Sequence, residues 1–191
     1  MNLNVPNILT LLRIAMIPLF VGVFYLPEHV MAPYWANFTA TFLFVLAAVT
    51  DWLDGYLARR LNQTSAFGAF LDPVADKLMV AAALVVLVEL GRVGAVVALI
   101  IIGREITISA LLEWMAGVGA GGSVAVATIG KVKTAMQMIA IPFLLYFQPL
   151  NLLGVRLDVA SIGKRLIYIA AILTLVSMAY YLHAARKQLR A

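Results

Sequence analysis

The sequence predicts an all-α, polytopic membrane protein with six transmembrane helices. Of its 191 residues, 64% are hydrophobic and only 12% are charged. The mean hydropathy is +1.00, which is more than a soluble domain of this size needs to fill its core. The apolar residues come in runs long enough to cross the hydrocarbon layer of a bilayer. The polar segments between these runs are too short for a second domain, so residues 1–191 are expected to form one integral membrane domain.

The boundaries of the six segments follow from length, helix-breaking residues and charge, because helices that are apolar on all sides show little periodicity. Asn4 and Pro6 are start signals for the first segment. Polar residues 62–65 separate the second segment from the third, and a glycine-rich turn around residues 117–122 separates the fourth from the fifth. The predicted segments are approximately residues 4–26, 34–61, 65–90, 95–115, 129–147 and 163–183.

The basic residues lie near the ends of these segments, and the formal net charge is +5. With an even number of segments, both termini lie on the same side of the membrane, and more of the basic residues fall on that side. The positive-inside rule therefore predicts that both termini lie in the cytoplasm. This distribution suits a bilayer surface with anionic head groups, and no nucleic-acid partner is expected. The chain has no cysteine, which excludes disulfides and thiolate metal ligands.

Four aspartates lie within the second and third segments. Asp51 and Asp54 are three residues apart, and Asp72 and Asp76 are four apart, so each pair lies on one face of its helix. A carboxylate in the apolar layer costs about 2.5–3.5 kcal/mol, so the set needs a partner. The short turn between the segments allows the two faces to meet near the cytoplasmic end. Four oxygen ligands there would suit Mg²⁺ or Mn²⁺.

The residues among the aspartates indicate what a metal would hold. Small side chains on the acidic faces leave room for a bulky ligand, and nearby basic and hydroxyl side chains could contact phosphate. Acidic residues, a divalent ion and a basic flank are typical of phosphoryl-transfer sites. The small residues are Gly55, Ala58 and Gly68, the basic residue is Arg59 and the hydroxyl residue is Ser65.

Each of these features also has a structural interpretation. Asp72 followed by Pro73 could be the N-cap and first residue of a helix. Asp54 could pair with Arg59 or Arg60 at the membrane surface, and the small residues could be helix-packing contacts. Together these alternatives leave four acids with only local explanations, so a metal site is favoured.

The full spacing, Asp51-x2-Asp54-Gly55-x2-Ala58-Arg59-x8-Gly68-x3-Asp72-x3-Asp76, resembles the signature of the CDP-alcohol phosphatidyltransferases. The resemblance implies a six-helix membrane fold, usually a homodimer, in the bacterial cytoplasmic (inner) membrane. It implies a site with two divalent ions, Mg²⁺ or Mn²⁺, that faces the cytoplasm. The four aspartates would hold the metals, and Asp76 would also act as general base. The lipid substrate would be CDP-diacylglycerol, bound by Asn7 in a Pro6–Asn7 turn and by Gly55, Ala58, Arg59, Ser65 and Gly68.

Three flanking segments are similar to the members of this family whose acceptor is glycerol 3-phosphate. They read NVPNILTLLRIAMIPLF from residue 4, GREITISALLEW from residue 103 and IGKVKTAMQM from residue 129. Leu112 is a departure, because relatives often have an arginine at this position.

An acceptor that carries a phosphate requires a basic pocket, and Arg104, Lys131 and Lys133 are the candidates because each lies in or beside an apolar segment. The two lysines could instead be orientation charges at the bilayer surface. Glu105 or Glu113 could pair with Arg104. A further basic residue, Arg13, could either reach the head groups or bind phosphate.

Two other functions stay open on the sequence. The first is transfer by the same chemistry to inositol phosphate, serine or phosphatidylglycerol. The second is divalent-cation transport, with the four acids as a pathway site. A transporter is expected to show internal repeats or broken helices in both halves, and the sequence shows neither.

Overall fold

The computed structural model describes residues 5–60, 66–117, 128–152 and 154–188. These residues form six α-helices, one 3₁₀ turn (Val23–Tyr25) and a short antiparallel hairpin. The all-α class and the six helical segments predicted from the sequence are therefore confirmed. The helices are α1 (Val5–Gly22), α2 (Pro33–Arg60), α3 (Ala66–Glu89), α4 (Ala95–Gly117), α5 (Thr128–Tyr146) and α6 (Val159–Gln188), and the hairpin strands are β1 (Leu150–Leu152) and β2 (Val155–Leu157).

The structure corrects the predicted turn at the N-terminus. Pro6 and Asn7 both lie in the first turn of α1. A proline is favourable there, because the N–H that it lacks has no acceptor within the first helical turn.

The start of α6 also differs from the prediction. The helix begins at Val159, before the predicted start at Gly163. Asp158 explains the earlier start, because its carboxylate accepts hydrogen bonds from the Ser161 backbone N–H at 3.1 Å and from the Ser161 hydroxyl at 2.6 Å. These bonds cap the helix and hold the pKa of Asp158 below its ordinary value.

Four of the described helices are long and apolar enough to cross a membrane. The first half of α3 carries Asp72, Asp76 and Lys77, and the apolar part of α5 is shorter than a full span. With the hydrophobic composition, these helices make the chain an integral membrane protein. The four candidate spans are Asn7–Tyr25, Pro33–Tyr56, Ala95–Met115 and Val159–His183.

An apolar core joins the helices. Helix α5 packs along α6, which also contacts α4, while α1 packs against α2 and α3. Gly163 marks a close approach of α6 to α5, because a Cβ atom at this position would lie 2.9 Å from Cγ of Leu144 and 3.2 Å from the carbonyl oxygen of Ala140. Fully buried core side chains include Phe20, Leu84, Leu87, Ile101, Ile141, Leu144, Leu145 and Ile167.

Arg92 joins three elements at the end of the bundle opposite the aspartates. It lies in the turn between α3 and α4 and donates hydrogen bonds to the carbonyl oxygens of Leu144 (3.0 Å) and Leu145 (2.7 Å). It also donates to Oδ1 of Asn37 at 2.8 Å, and its guanidinium lies 4.4 Å from the centroid of the Phe147 ring. The last carbonyls of a helix have no N–H partner within that helix, so Arg92 satisfies the end of α5. Burial lowers the pKa of Arg92 to about 10, which leaves it protonated at neutral pH.

Candidate active site

Arg13 of α1 contacts the two aspartates of α2. Its Nη1 donates to Oδ1 of Asp51 at 2.6 Å, and its Nη2 donates to Oδ2 of Asp54. The Arg13 side chain is 1% exposed and the Asp54 side chain 3% exposed, whereas that of Asp51 is 41% exposed. Of the two alternatives for Arg13, the one in which it reaches the head groups is wrong, because the packing of α1 on α2 turns it toward buried carboxylates that a cation must compensate.

The same face of α1 also contacts α3. The hydroxyl of Thr10, three residues before Arg13, donates to Oδ1 of Asp72 at 2.5 Å. Residues three apart lie on one face of a helix, so α1 contacts an acidic residue of each of the two neighbouring helices.

The structure contradicts one of the structural alternatives for the aspartates and half of another. Asp72 is not an N-cap, because Asp72 and Pro73 both lie inside α3, which begins at Ala66. Of the two arginines that could pair with Asp54, Arg60 donates instead to the hydroxyl of Tyr56 at 2.6 Å, and the side chain of Arg59 lies outside the described residues. In this structure Asp54 and Asp72 both have partners on α1.

The four aspartates share one neighbourhood at the facing ends of α2 and α3. The carboxylates of Asp51 and Asp72 act electrostatically on that of Asp54, and Asp51 and Arg13 act on Asp76. Within the part of the chain that the structure describes, however, no three Asp, Glu, His or Cys side chains are grouped so that they could hold one metal ion.

The chemistry of this donor set fits Mg²⁺ or Mn²⁺, because all four groups are hard oxygen ligands. The buried Arg13 guanidinium between two of them also indicates that this position favours positive charge. In this structure the guanidinium engages Asp51 and Asp54. The metal site of Asp51, Asp54, Asp72 and Asp76 therefore stays a prediction.

Of the residues predicted to contact the lipid nucleotide, the structure describes Asn7, Gly55 and Gly68 in full. At Gly55 no described atom lies within 4 Å of the position that a Cβ would take, so its surface is open and the helix-packing alternative gains no support there. Asn7 is buried on α1, and Gly68 is buried on α3. Ser65 lies outside the described residues, as do the side chains of Ala58 and Arg59.

A cavity of about 70 Å³ lies beside Asp76, between α3, α4 and α5. One water needs roughly 10–15 Å³ on this measure, so the cavity has room for about five waters or part of a small polar molecule. Six of its eight described lining residues have polar or charged side chains. The lining residues are Asp76, Lys77, Val80, Glu105, Lys133, Thr134, Gln137 and Met138.

Of the three predicted acceptor-binding cations, Lys133 lines this cavity. Its buried ammonium donates to Oε1 of Glu105. Arg104 is not among the described lining residues. Its Nη1 lies 3.6 Å from Oε2 of Glu105, and its Nη2 donates to the hydroxyl of Ser177 on α6 at 3.3 Å. The side chain of Lys131 is not described. Glu105 therefore lies between two of the predicted cations as their shared counter-ion.

Sequence reasoning missed the contact of α1 with the acids and the glutamine in the cavity wall. A signal for the first was present, because Asn7, Thr10 and Arg13 repeat at intervals of three on an otherwise apolar helix, and all three are buried. Gln137 follows Lys133 by four residues, so it shares the helix face of a predicted binding residue that lines the cavity.

A comparison with known protein families shows the family to which this chain belongs. Residues 3–180 match the family described as CDP-alcohol phosphatidyltransferase, and the chain belongs to this family.

Similar proteins include those of Sodalis glossinidius (strain morsitans) and Pectobacterium atrosepticum, each 52% identical to this chain, and that of Escherichia coli (strain K12), 51% identical. Each similarity extends over 191 residues and covers 99% of this chain and 98% of the relative. All three relatives are named CDP-diacylglycerol–glycerol-3-phosphate 3-phosphatidyltransferase.

Proposed function

We propose that this chain transfers the phosphatidyl group of CDP-diacylglycerol to glycerol 3-phosphate, giving phosphatidylglycerol phosphate and CMP. Membership of the family and the names of the relatives support the reaction and its substrates. The structural observation that carries the proposal is the cavity with Asp76 and Lys133 in its walls. A hydroxyl that must lose a proton and a phosphate that must be held require such a carboxylate and such a cation.

In the proposed reaction, the 1-hydroxyl oxygen of glycerol 3-phosphate attacks the β-phosphorus of CDP-diacylglycerol. The new oxygen–phosphorus bond forms as the bond from this phosphorus to the bridging oxygen breaks, and CMP leaves with that oxygen. Asp76 accepts the proton of the attacking hydroxyl as general base. Its place in the cavity wall suits this role, because a base must lie within hydrogen-bond reach of the proton that it accepts.

The proposed cofactors are two divalent ions, Mg²⁺ or Mn²⁺, held by Asp51, Asp54, Asp72 and Asp76. When bound, such ions supply positive charge that stabilises the phosphate oxygens during transfer. Arg13 keeps the carboxylates of α2 compensated at this position, and Thr10 fixes the orientation of Asp72.

The two substrates would be bound by two different groups of residues. Lys133 has three donors on its ammonium, and Glu105 accepts one of them, so others can serve the acceptor phosphate. Arg104 and Lys131 are proposed to add positive charge near it. The CDP part of the lipid would contact Asn7, Gly55, Ala58, Arg59, Ser65 and Gly68.

We also propose that all six helices span the bilayer of the bacterial cytoplasmic membrane, with both termini and the active site facing the cytoplasm. The excess of basic residues on that side supports this orientation. A homodimer is the proposed assembly, as the family resemblance implies.

The test is CMP release by the purified protein in micelles with CDP-diacylglycerol, glycerol 3-phosphate and Mg²⁺. We expect release that stops with a chelator and is abolished by Asp76→Asn, while Asp158→Asn, the same change at an exposed site, retains activity. Serine and inositol phosphate are then supplied in place of glycerol 3-phosphate. Release with one of these but none with glycerol 3-phosphate would refute the acceptor and keep the family chemistry.

A further inference from the structure

Gln137 of α5 is a buried polar residue whose carbonyl oxygen has no hydrogen-bond partner among the described residues. The residue is 4% exposed and lines the cavity beside Asp76. Buried polar atoms in folded proteins nearly always have a partner. The oxygen therefore lacks the partner that its burial calls for, and the side chain that carries it belongs to the cavity wall.

We propose that the side-chain amide of Gln137 binds the secondary hydroxyl of the acceptor, the 2-hydroxyl of glycerol 3-phosphate. This inference rests on the proposed function. It assigns a residue that distinguishes this acceptor from alcohols without a hydroxyl at that carbon.

The position of Gln137 relative to the other cavity groups favours this assignment. Lys133 and Gln137 lie one turn apart on the same face of α5, about 6 Å along the axis, and Asp76 of α3 forms another part of the wall. In glycerol 3-phosphate the secondary hydroxyl is on the carbon between the reacting hydroxyl and the phosphate ester. With the reacting hydroxyl at Asp76 and the phosphate at Lys133, the middle carbon lies within the pocket that Gln137 lines.

The other polar groups of the wall are charged or already engaged. Glu105 accepts a hydrogen bond from Lys133, and the hydroxyl of Thr134 donates to the carbonyl oxygen of Gly130 at 3.0 Å. Thr134 has used its one donor and can only accept, whereas Gln137 has a buried carbonyl oxygen without a partner among the described residues. An amide also carries donors, so it can bind a hydroxyl in either orientation.

The experiment compares two acceptors that differ only in this hydroxyl. They are glycerol 3-phosphate and 3-hydroxypropyl phosphate, which keeps the primary hydroxyl and the phosphate but lacks the secondary hydroxyl. Purified full-length protein is assayed for CMP release with CDP-diacylglycerol and Mg²⁺. The variants are Gln137→Met, which has similar length and no amide, and Gln148→Met, a matched change in the loop after α5 and away from the cavity.

We expect the unmodified protein and Gln148→Met to prefer glycerol 3-phosphate by about tenfold in kcat/KM, the effect of one hydrogen bond whose loss leaves a buried amide unpaired. Gln137→Met is expected to use the two acceptors within about twofold of each other, with the KM for CDP-diacylglycerol unchanged. A structural role alone would lower the rates with both acceptors equally and leave their ratio unchanged.

Two results would overturn the inference, and they are distinguishable from failure of the proposed function. They are an unchanged preference in Gln137→Met, with or without an equal loss of rate with both acceptors, or equal use of both acceptors by the unmodified protein. The last is decisive even if Gln137→Met does not fold. If the unmodified protein releases no CMP with glycerol 3-phosphate, the proposed function fails first and the inference falls with it.

Discussion

Replacing Arg13 with methionine tests whether its contact with the acids of α2 holds the fold together. Methionine keeps most of the apolar stem and removes only the guanidinium. Asp54 then loses the partner seen in this structure, in a position where its side chain is 3% exposed. The second partner, Asp51, is 41% exposed and can be solvated without Arg13.

The size of the effect follows from this difference in burial. Removing one member of a buried ion pair costs about 3–5 kcal/mol, because the remaining charge stays desolvated. The exposed contact to Asp51 adds at most about 1 kcal/mol. For a chain of this length whose unfolding entropy per residue is like that of soluble domains, each kcal/mol of lost stability lowers the unfolding midpoint by about 2–4 °C. We therefore expect the midpoint of thermal unfolding of Arg13→Met to fall by about 6–24 °C.

The assay is thermal unfolding of the purified protein in detergent without added metal, with two further variants. Arg60→Met is the matched control, because Arg60 is exposed and donates to the hydroxyl of Tyr56. The double variant Arg13→Met with Asp54→Asn removes both charges, and we expect it to be more stable than the sum of the single effects predicts by at least about 1 kcal/mol. A fall for Arg13→Met no larger than that for Arg60→Met, or strict additivity in the double variant, would refute the reasoning.

Three other predictions concern the fold. Gly163→Ala is expected to lower the free energy of unfolding by about 1–3 kcal/mol through overpacking against α5. The control Gly103→Ala, with no described atom within 4 Å of its Cβ position, should be neutral or slightly stabilising. Equal unfolding midpoints for the two variants would contradict this prediction. Arg92→Met should lower the free energy of unfolding by about 1–3 kcal/mol in the same assay. Arg92→Lys should lower it by part of that amount, because lysine lacks the planar guanidinium that reaches several acceptors. An Arg92→Met variant as stable as the unmodified protein would contradict this prediction. The lowered pKa of Asp158 means that its contribution is present above the ordinary aspartate pKa, about 3.9, and is lost as the pH falls through the folded-state pKa. The difference in unfolding midpoint between the unmodified protein and Asp158→Asn should therefore shrink below about pH 4, and a difference that does not change with pH would exclude the cap as its cause.

The features that the sequence predicted well are local ones. The helices follow from apolar runs and from the residues that interrupt them, and both are properties of neighbouring positions. The signature from Asp51 to Asp76 identified the family correctly, because its spacing lies within one pair of adjacent helices. The errors at the helix starts are also local. The start of α6 is set by its N-cap, Asp158, and this polar residue is not part of the apolar run from which the start was predicted.

The partners of the buried charges could not be predicted in the same way, because they depend on which helix faces meet. Arg13 and Asp54 are 41 positions apart, and Lys133 and Glu105 are 28 apart. An apolar helix offers little periodicity to show its buried face, so a polar residue on it has several possible partners. Burial then restricts the choice, since an unpaired charge in the core is too costly to persist. Each buried acid must therefore have a cation within reach, and this requirement places Arg13, on the polar face of α1, against Asp54 of α2.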